Sequence, residues 1–275
     1  MNGDELPRLV TLLTDFGATD PFVGIMKGVM LREEPRLRII DVTHGVGAQD
    51  IGAAAFVLGH SFGWFPAGSV HVGVVDPGVG GARAVLVAEA SGHYFVAPDN
   101  GLLSEVLAGD AGALVRRADV ERLGLSPRSR TFHGRDVFAP LAAWLASGRR
   151  AFAELGELHA PVRLDLPRAV RDADGVQGRI VLVDHFGNLI SNVPSSELEG
   201  EATDAGARGL LALRVEVGGL ALRGVGTYSE AEPGECVGLV SSFGTLEIAE
   251  RNGSAARSLG LGSGARIHAV RRVER

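Results

Sequence analysis

The hydrophobic pattern changes character once along these 275 residues, and that change limits the fold more than any other feature of the chain. Up to about residue 150, short β-branched runs alternate with amphipathic stretches, the pattern of βα units around a largely parallel sheet. Strands are expected at residues 9–13, 38–42 and 70–75, with a hairpin at 84–90 and 93–97 turning on Ser91-Gly92. Helices are expected at 22–31, 51–63, from 102 onward and at 136–146, the first opened by Asp20 as N-cap and Pro21 as first helical residue. From about residue 160 to 178 the chain turns proline-bearing and charged, and beyond that stretch helix signals nearly vanish. Alternating runs at 180–183, 211–217, 220–224, 235–240, 245–249 and 266–270 predict a compact antiparallel sheet or barrel. The expected architecture is an α/β N-terminal domain over residues 1–170, with a largely parallel sheet, and a smaller, mostly-β, barrel-like C-terminal domain over 171–275.

Composition removes several function classes. With 27 basic against 33 acidic residues the net charge is -6, which offers no electrostatic footprint for nucleic acid. Aromatics are only 5% of the chain, so the core must rest on Val, Leu, Ala and Ile. The single cysteine, Cys236, has no partner for an intramolecular disulfide, and residues 1–10 lack the basic-then-apolar plan of a secretory signal. No apolar run approaches the roughly 18 residues of a membrane-spanning helix. A cytoplasmic enzyme or binding protein, with no membrane or nucleic-acid partner, is the expectation.

Chemistry-bearing side chains gather in turn-rich segments flanked by apolar ones. Thr14-Asp15-Phe16-Gly17 ends a strand, where α/β proteins commonly bind ligands, and Asp15 is placed to accept ribose hydroxyls; a plain polar turn explains it too. It is not a kinase metal motif, because no glycine-rich loop or catalytic loop precedes it. Asp76-Pro77-Gly78-Val79-Gly80-Gly81 lacks the Gly-Lys-Ser/Thr ending of a phosphate loop, yet its glycines permit close backbone approach to a ligand. His133 in Thr-Phe-His-Gly-Arg-Asp reads either as a turn histidine or as an imidazole set among charged partners for proton work. Asp184-His185-Phe186-Gly187-Asn188 offers an acceptor, an aromatic face and an amide within five residues, with an ordinary β-turn as the alternative. No HExxH pattern or Cys/His cluster points to a metal.

As a set these segments resemble one family. TDFG at 14–17, DPFVGIMKG at 20–28, DVTH at 41–44, VVDPGVG at 74–80, PDNG at 98–101, TFHGRD at 131–136, DHFGNLISN at 184–192 and SSFGTLEIA at 241–249 are similar, in order, to the S-adenosylmethionine (SAM) hydroxide adenosyltransferases. These SAM hydrolases are relatives of the SAM-dependent chlorinase and fluorinase. The resemblance implies attack by water or hydroxide on C5′ of SAM, giving adenosine and methionine, without metal or other cofactor. It implies an Asp76, Arg83, His133 triad at the reacting centre. It further implies Asp15 on the ribose diol, Asp20 and Asp184 on the methionine ammonium, Asn188 on the ribose or amino acid, and Ser242 on the methionine carboxylate. Phe132 and Phe186 would wall the nucleoside, and Arg251 and Asn252 would sit by the adenine, although residues 250–252 depart from the family's usual wording. A homotrimer with sites between neighbouring subunits is implied as well.

The chemistry of the residues fits that resemblance. A sulfonium is already a good leaving group, so the reaction needs an aligned, partly desolvated nucleophile more than an acid. A halide site would have to tolerate Asp76, whose repulsion of chloride is roughly 4 kcal/mol at about 4 Å with an effective dielectric near 20. Hydroxide transfer is therefore preferred to halide transfer. Two other readings stay open: a slow adenosine- or SAM-binding protein, and a metal-dependent hydrolase using Asp15, Asp76 and His133 as ligands.

Overall fold

The computed structural model describes residues 8–198 and 213–271, so the first two residues of the strand expected at 211–217 lie outside the described residues. The chain divides between Asp165 and Leu166 into two compact units.

The first unit runs β1 (Val10–Thr14), α1 (Phe22–Glu33), β2 (Ile39–Thr43), α2 (Ile51–Ser61), β3 (Val70–Val74), β4 (Val85–Ala90), β5 (His93–Pro98), α3 (Ser104–Ala108), β6 (Leu114–Ala118), α4 (Ala139–Ala146) and β7 (Gly156–Leu158). Its sheet has the order β2-β1-β3-β5-β4-β6-β7. Pairing is parallel from β2 through β1 and β3 to β5, and antiparallel across β4, β6 and β7. Since β6 reverses β4, which reverses β5, only β4 and β7 oppose the rest, and the mixed sheet is largely parallel. β1 and β3 are buried along their whole length, as the continuous apolar runs required. Leu12, Val72 and Val74 pack with Met26, Met30, Phe138 and Leu141 in one core.

Three expectations need correction. Pro21, not Asp20, is the N-cap of α1: its carbonyl accepts from Ile25 N at 2.9 Å, and no side chain caps the helix. Asp20 stands one residue too early to reach the orphan amides and is exposed. The helix expected from 102 shortens to the single turn of α3, because Gly101 at φ +94 holds the preceding chain in a turn. The helix expected at 136–146 is a π-helical turn over Gly134–Phe138 that feeds α4. β6 and β7 were unforeseen, one carrying Arg116 and Arg117, the other only three residues long.

The second unit comprises β8 (Val170–Arg171), β9 (Gly175–Val183), β10 (Leu189–Pro194), α5 (Ser195–Leu198), β11 (Leu213–Val217), β12 (Leu220–Arg223), β13 (Cys236–Val240), β14 (Thr245–Glu250), α6 (Ala255–Leu259) and β15 (Arg266–Arg271). The strand order is β12-β11-β15-β9-β10-β14-β13, antiparallel throughout, with β8 on β9. β9 starts earlier than expected and serves three neighbours, pairing Gly175 to Arg179 with β15, Ile180 to Val183 with β10, and Val176 and Gln177 with the short β8. Gly224 bridges Gly238, and Val225 N donates to Gly238 O at 2.9 Å, so the two ends of the sheet nearly meet as a barrel. β10 hid in the sequence because Asn192 and Pro194 interrupt its alternation.

Candidate active site

Residues 75–84 connect β3 to β4, but β5 lies between those two strands, so the connection must cross the end of β5. The crossing is fastened from below. Asn100 Nδ2 donates to Val75 O at 2.8 Å, and Asp99 N donates to Ala84 O at 3.0 Å. Asp76 and Arg83 stand at either end of this strap and close on each other. Arg83 Nε donates to Asp76 Oδ1 at 3.0 Å and Oδ2 at 3.1 Å, and its Nη2 donates to Oδ2. The pair is deeply set, with Asp76 and Arg83 side chains 5% and 10% exposed. Losing either charge would strand the other.

His133 joins from the loop preceding the π-helical turn. Arg83 Nη2 lies 2.9 Å from His133 Nδ1. A guanidinium has only donors, so Nδ1 must be the accepting nitrogen and the proton of the neutral ring sits on Nε2. Burial holds the imidazole below its ordinary pKa, and Arg83 adds to this against the opposing pull of Asp76 and Asp136. His133 is therefore a neutral donor at pH 7, with its basic nitrogen already occupied. Phe138, in the π-helical turn, lies under the Arg83 guanidinium at 5.3 Å. Gly80 brings the two loops together: its φ is +74, and a Cβ there would meet Arg130 O at 2.3 Å. Only glycine fits.

In front of Asp76 and His133 lies a cleft of about 430 Å³, a size suited to a nucleoside-sized ligand. Asp15 and Phe132 line it too, with Phe16, Phe22 and Gln49, which sequence reasoning missed. Phe16, Phe22 and Phe132 meet edge to face with centroids 5.3 to 6.1 Å apart. Asp15 Oδ2 accepts from Gln49 N at 2.8 Å, holding Gln49 at φ +66, while Asp15 Oδ1 has no hydrogen-bond partner among the described residues. Turn-rich residues 45–49 before the Asp50 cap were the available signal for Gln49. Two quoted motifs turn out to brace others. His44 of DVTH accepts from Gly17 N through its carbonyl at 2.9 Å, and its Nδ1 bonds Thr14 Oγ1 at 2.8 Å, fixing TDFG. PDNG fastens the strap.

The remaining candidates sit in the second unit, apart from Asp20, which is exposed just before α1 and does not line the cleft. Asp184 Oδ1 accepts from Phe186 N at 2.9 Å and Asn188 N at 2.8 Å, and Oδ2 accepts from Asn188 Nδ2 at 2.9 Å. That turn buries Asn188 and leaves Phe186 72% exposed. Gly187, φ +88, touches Ser254 so closely that a Cβ would meet its Oγ at 2.0 Å, which sets the turn against the one holding Arg251 and Asn252. Asn252 is left-handed at φ +59, and Arg251 Nη1 is spent on the carbonyls of Ser229 and Ala231. Ser242 is exposed in the turn from β13 to β14. Nearby on β14, buried Glu247 accepts from Tyr228 Oη at 2.8 Å; burial, chiefly, raises its pKa.

Among the described residues, no group of three or more His, Cys, Asp or Glu is arranged to hold a metal ion. None of the described helices is long and apolar enough to cross a membrane.

Comparison with known proteins covers both units. Residues 10–156 match the model of the SAM hydroxide adenosyltransferase N-terminal domain, and residues 178–268 that of the C-terminal domain. An (R)-S-adenosyl-L-methionine hydrolase of Salinispora tropica is 38% identical over 263 residues, covering 94% of this chain and 96% of the relative. A fluorinase of Nocardia brasiliensis is 27% identical over 290 residues, covering 93% and 94%. An uncharacterised conserved protein of Thermotoga maritima has a crystal structure that superposes with a TM-score of 0.86 at 33% identity, covering 95% of this chain and all of that one.

Proposed function

The chain belongs to the SAM hydroxide adenosyltransferase family, and from that premise we propose that it hydrolyses S-adenosyl-L-methionine to adenosine and L-methionine. The observation that carries the reading is the Asp76–Arg83–His133 constellation at the wall of a nucleoside-sized cleft. Water attacks C5′ opposite sulfur. The O–C5′ bond forms, the C5′–S bond breaks with its electrons passing to sulfur, and one water proton leaves. Asp76, an acceptor with both oxygens steered by Arg83, aligns the water and takes that proton. His133 offers an Nε2–H to the water oxygen and cannot act as base through Nδ1 while Arg83 occupies it.

An ionised carboxylate accepts hydrogen bonds and gives none, so it holds a water and not a halide. This argument is firmer than charge repulsion, which Arg83 largely offsets. Asp15 takes the ribose diol through its open Oδ1, and Phe132 packs on the nucleoside. Asp20, Asp184, Asn188 and Ser242 hold the amino-acid end, with Phe186, Arg251 and Asn252 at the base. These assignments go with a homotrimer whose sites lie between subunits, working in the cytoplasm without metal or cofactor. Given the name of the Salinispora relative, the (R)-sulfonium epimer is the preferred substrate.

Chromatography of folded protein incubated with each epimer tests this reading. Equimolar adenosine and methionine are expected, faster from the (R) epimer, and no halogenated nucleoside with added chloride or fluoride. Absence of adenosine overturns the proposal.

A further inference from the structure

A second cavity, of about 530 Å³, adjoins the triad from behind the substrate cleft. Both cavities are lined by His133; Asp76 lines only the front one and Arg83 only the rear one, so the triad is a partition between them. Ala84, Val85, Ala118 and Val137 line the rear cavity together with the charged Arg117 and Glu157, and exposed Asp119 and Glu121 line it as well.

If the cleft takes SAM as proposed above, this geometry has a consequence for the other reactant. In-line displacement requires the nucleophile to arrive on the side of C5′ opposite sulfur, at the Asp76–His133 wall. A cleft of about 430 Å³ filled by a nucleoside-sized substrate leaves little room for water to pass the substrate itself. We infer that the rear cavity is the water entry route: the nucleophile passes from bulk solvent past Glu121 and reaches Asp76 alongside His133, the residue that both cavities share.

A reversible plug at Glu121 tests the route. Glu121→Cys is made in a Cys236→Ser background whose turnover is first shown to be normal, so that the introduced thiol alone reacts. The full-length assembled protein is then treated with methyl or benzyl methanethiosulfonate. The methyl adduct should leave kcat within about twofold, while the bulkier benzyl adduct lowers kcat about tenfold or more with KM for SAM unchanged. Dithiothreitol should restore full turnover, which separates blockage from unfolding. An unchanged kcat with the benzyl adduct, an equal rise in KM, or failure of the thiol to label in the assembled protein each overturns the route. Absence of SAM hydrolysis by the untreated wild-type protein would instead sink the functional reading on which the route rests.

Discussion

Two histidine sites in the first unit, one on the sheet and one on a loop, differ in what their rings face. His71, on β3, is fully buried: its Nδ1 bonds Thr11 Oγ1 at 2.7 Å and its Nε2 bonds His93 Nδ1 at 3.1 Å, among Phe62, Phe65 and Phe95. Burial first, then His93, lowers its pKa to about 3. His133 is also held below the ordinary imidazole value, again chiefly by burial, yet it meets a guanidinium on one nitrogen and a cleft on the other side. A depressed pKa is thus common to a packing histidine and a site histidine. The second nitrogen's surroundings tell them apart.

Substitutions can break or sharpen that contrast. The largest effect should come from Asp76→Asn, which keeps the shape and removes the proton acceptor: kcat for SAM should fall on the order of 10³-fold with little change in KM. His71→Phe, by contrast, should leave kcat within about twofold, and an equal loss in both variants would erase the distinction. Next in size is the pH response of stability. His71 is neutral when folded and titrates near its ordinary value when unfolded, so below about pH 6.5 the unfolded chain binds the extra proton and stability falls with pH. Between pH 7 and 4.5 this amounts to about 2 to 3 kcal/mol, measurable by urea unfolding, and His71→Phe should remove that part of the slope.

Arg83→Lys keeps the charge but loses the fork that reaches both Asp76 and His133, and kcat should drop by about 10 to 100-fold. Retention of full activity would mean that Asp76 needs only a nearby cation. The smallest effect is the acid limb of kcat/KM. Protonated His133 cannot accept from Arg83, so kcat/KM should decline in acid with a midpoint below 6.5, as the lowered pKa requires; a midpoint above 6.5 would contradict the burial and the Arg83 contact as the forces acting on this ring.

Much of this was legible beforehand where apolar period and turn residues agreed. β1, β3 and the β4–β5 hairpin followed from uninterrupted apolar runs and Ser91-Gly92. Tertiary pairing overrode local pattern at β6, β7 and β10, whose sequences carry charges or a proline and become strands because a neighbour offers a free edge. In the site, Asp76, Arg83 and His133 stood out as residue types, but their shared bonds depend on two loops meeting at Gly80, a contact between distant residues that no local spacing encodes. Gln49 was invisible for the same reason: it enters the cleft through its backbone bond to Asp15, not through its own side-chain chemistry.

The strap between β3 and β4 also carries information about assembly. Its fastening points, Asp99 and Asn100, come later in the chain than the strap, and they reach it only after the hairpin has folded back and slid β5 in beside β3. Asp76 and Arg83 therefore cannot be held at their working separation by any intermediate lacking that inserted strand. Recovery of turnover during refolding should not precede the seating of β5 between β3 and β4, which makes enzymatic activity a reporter of that step.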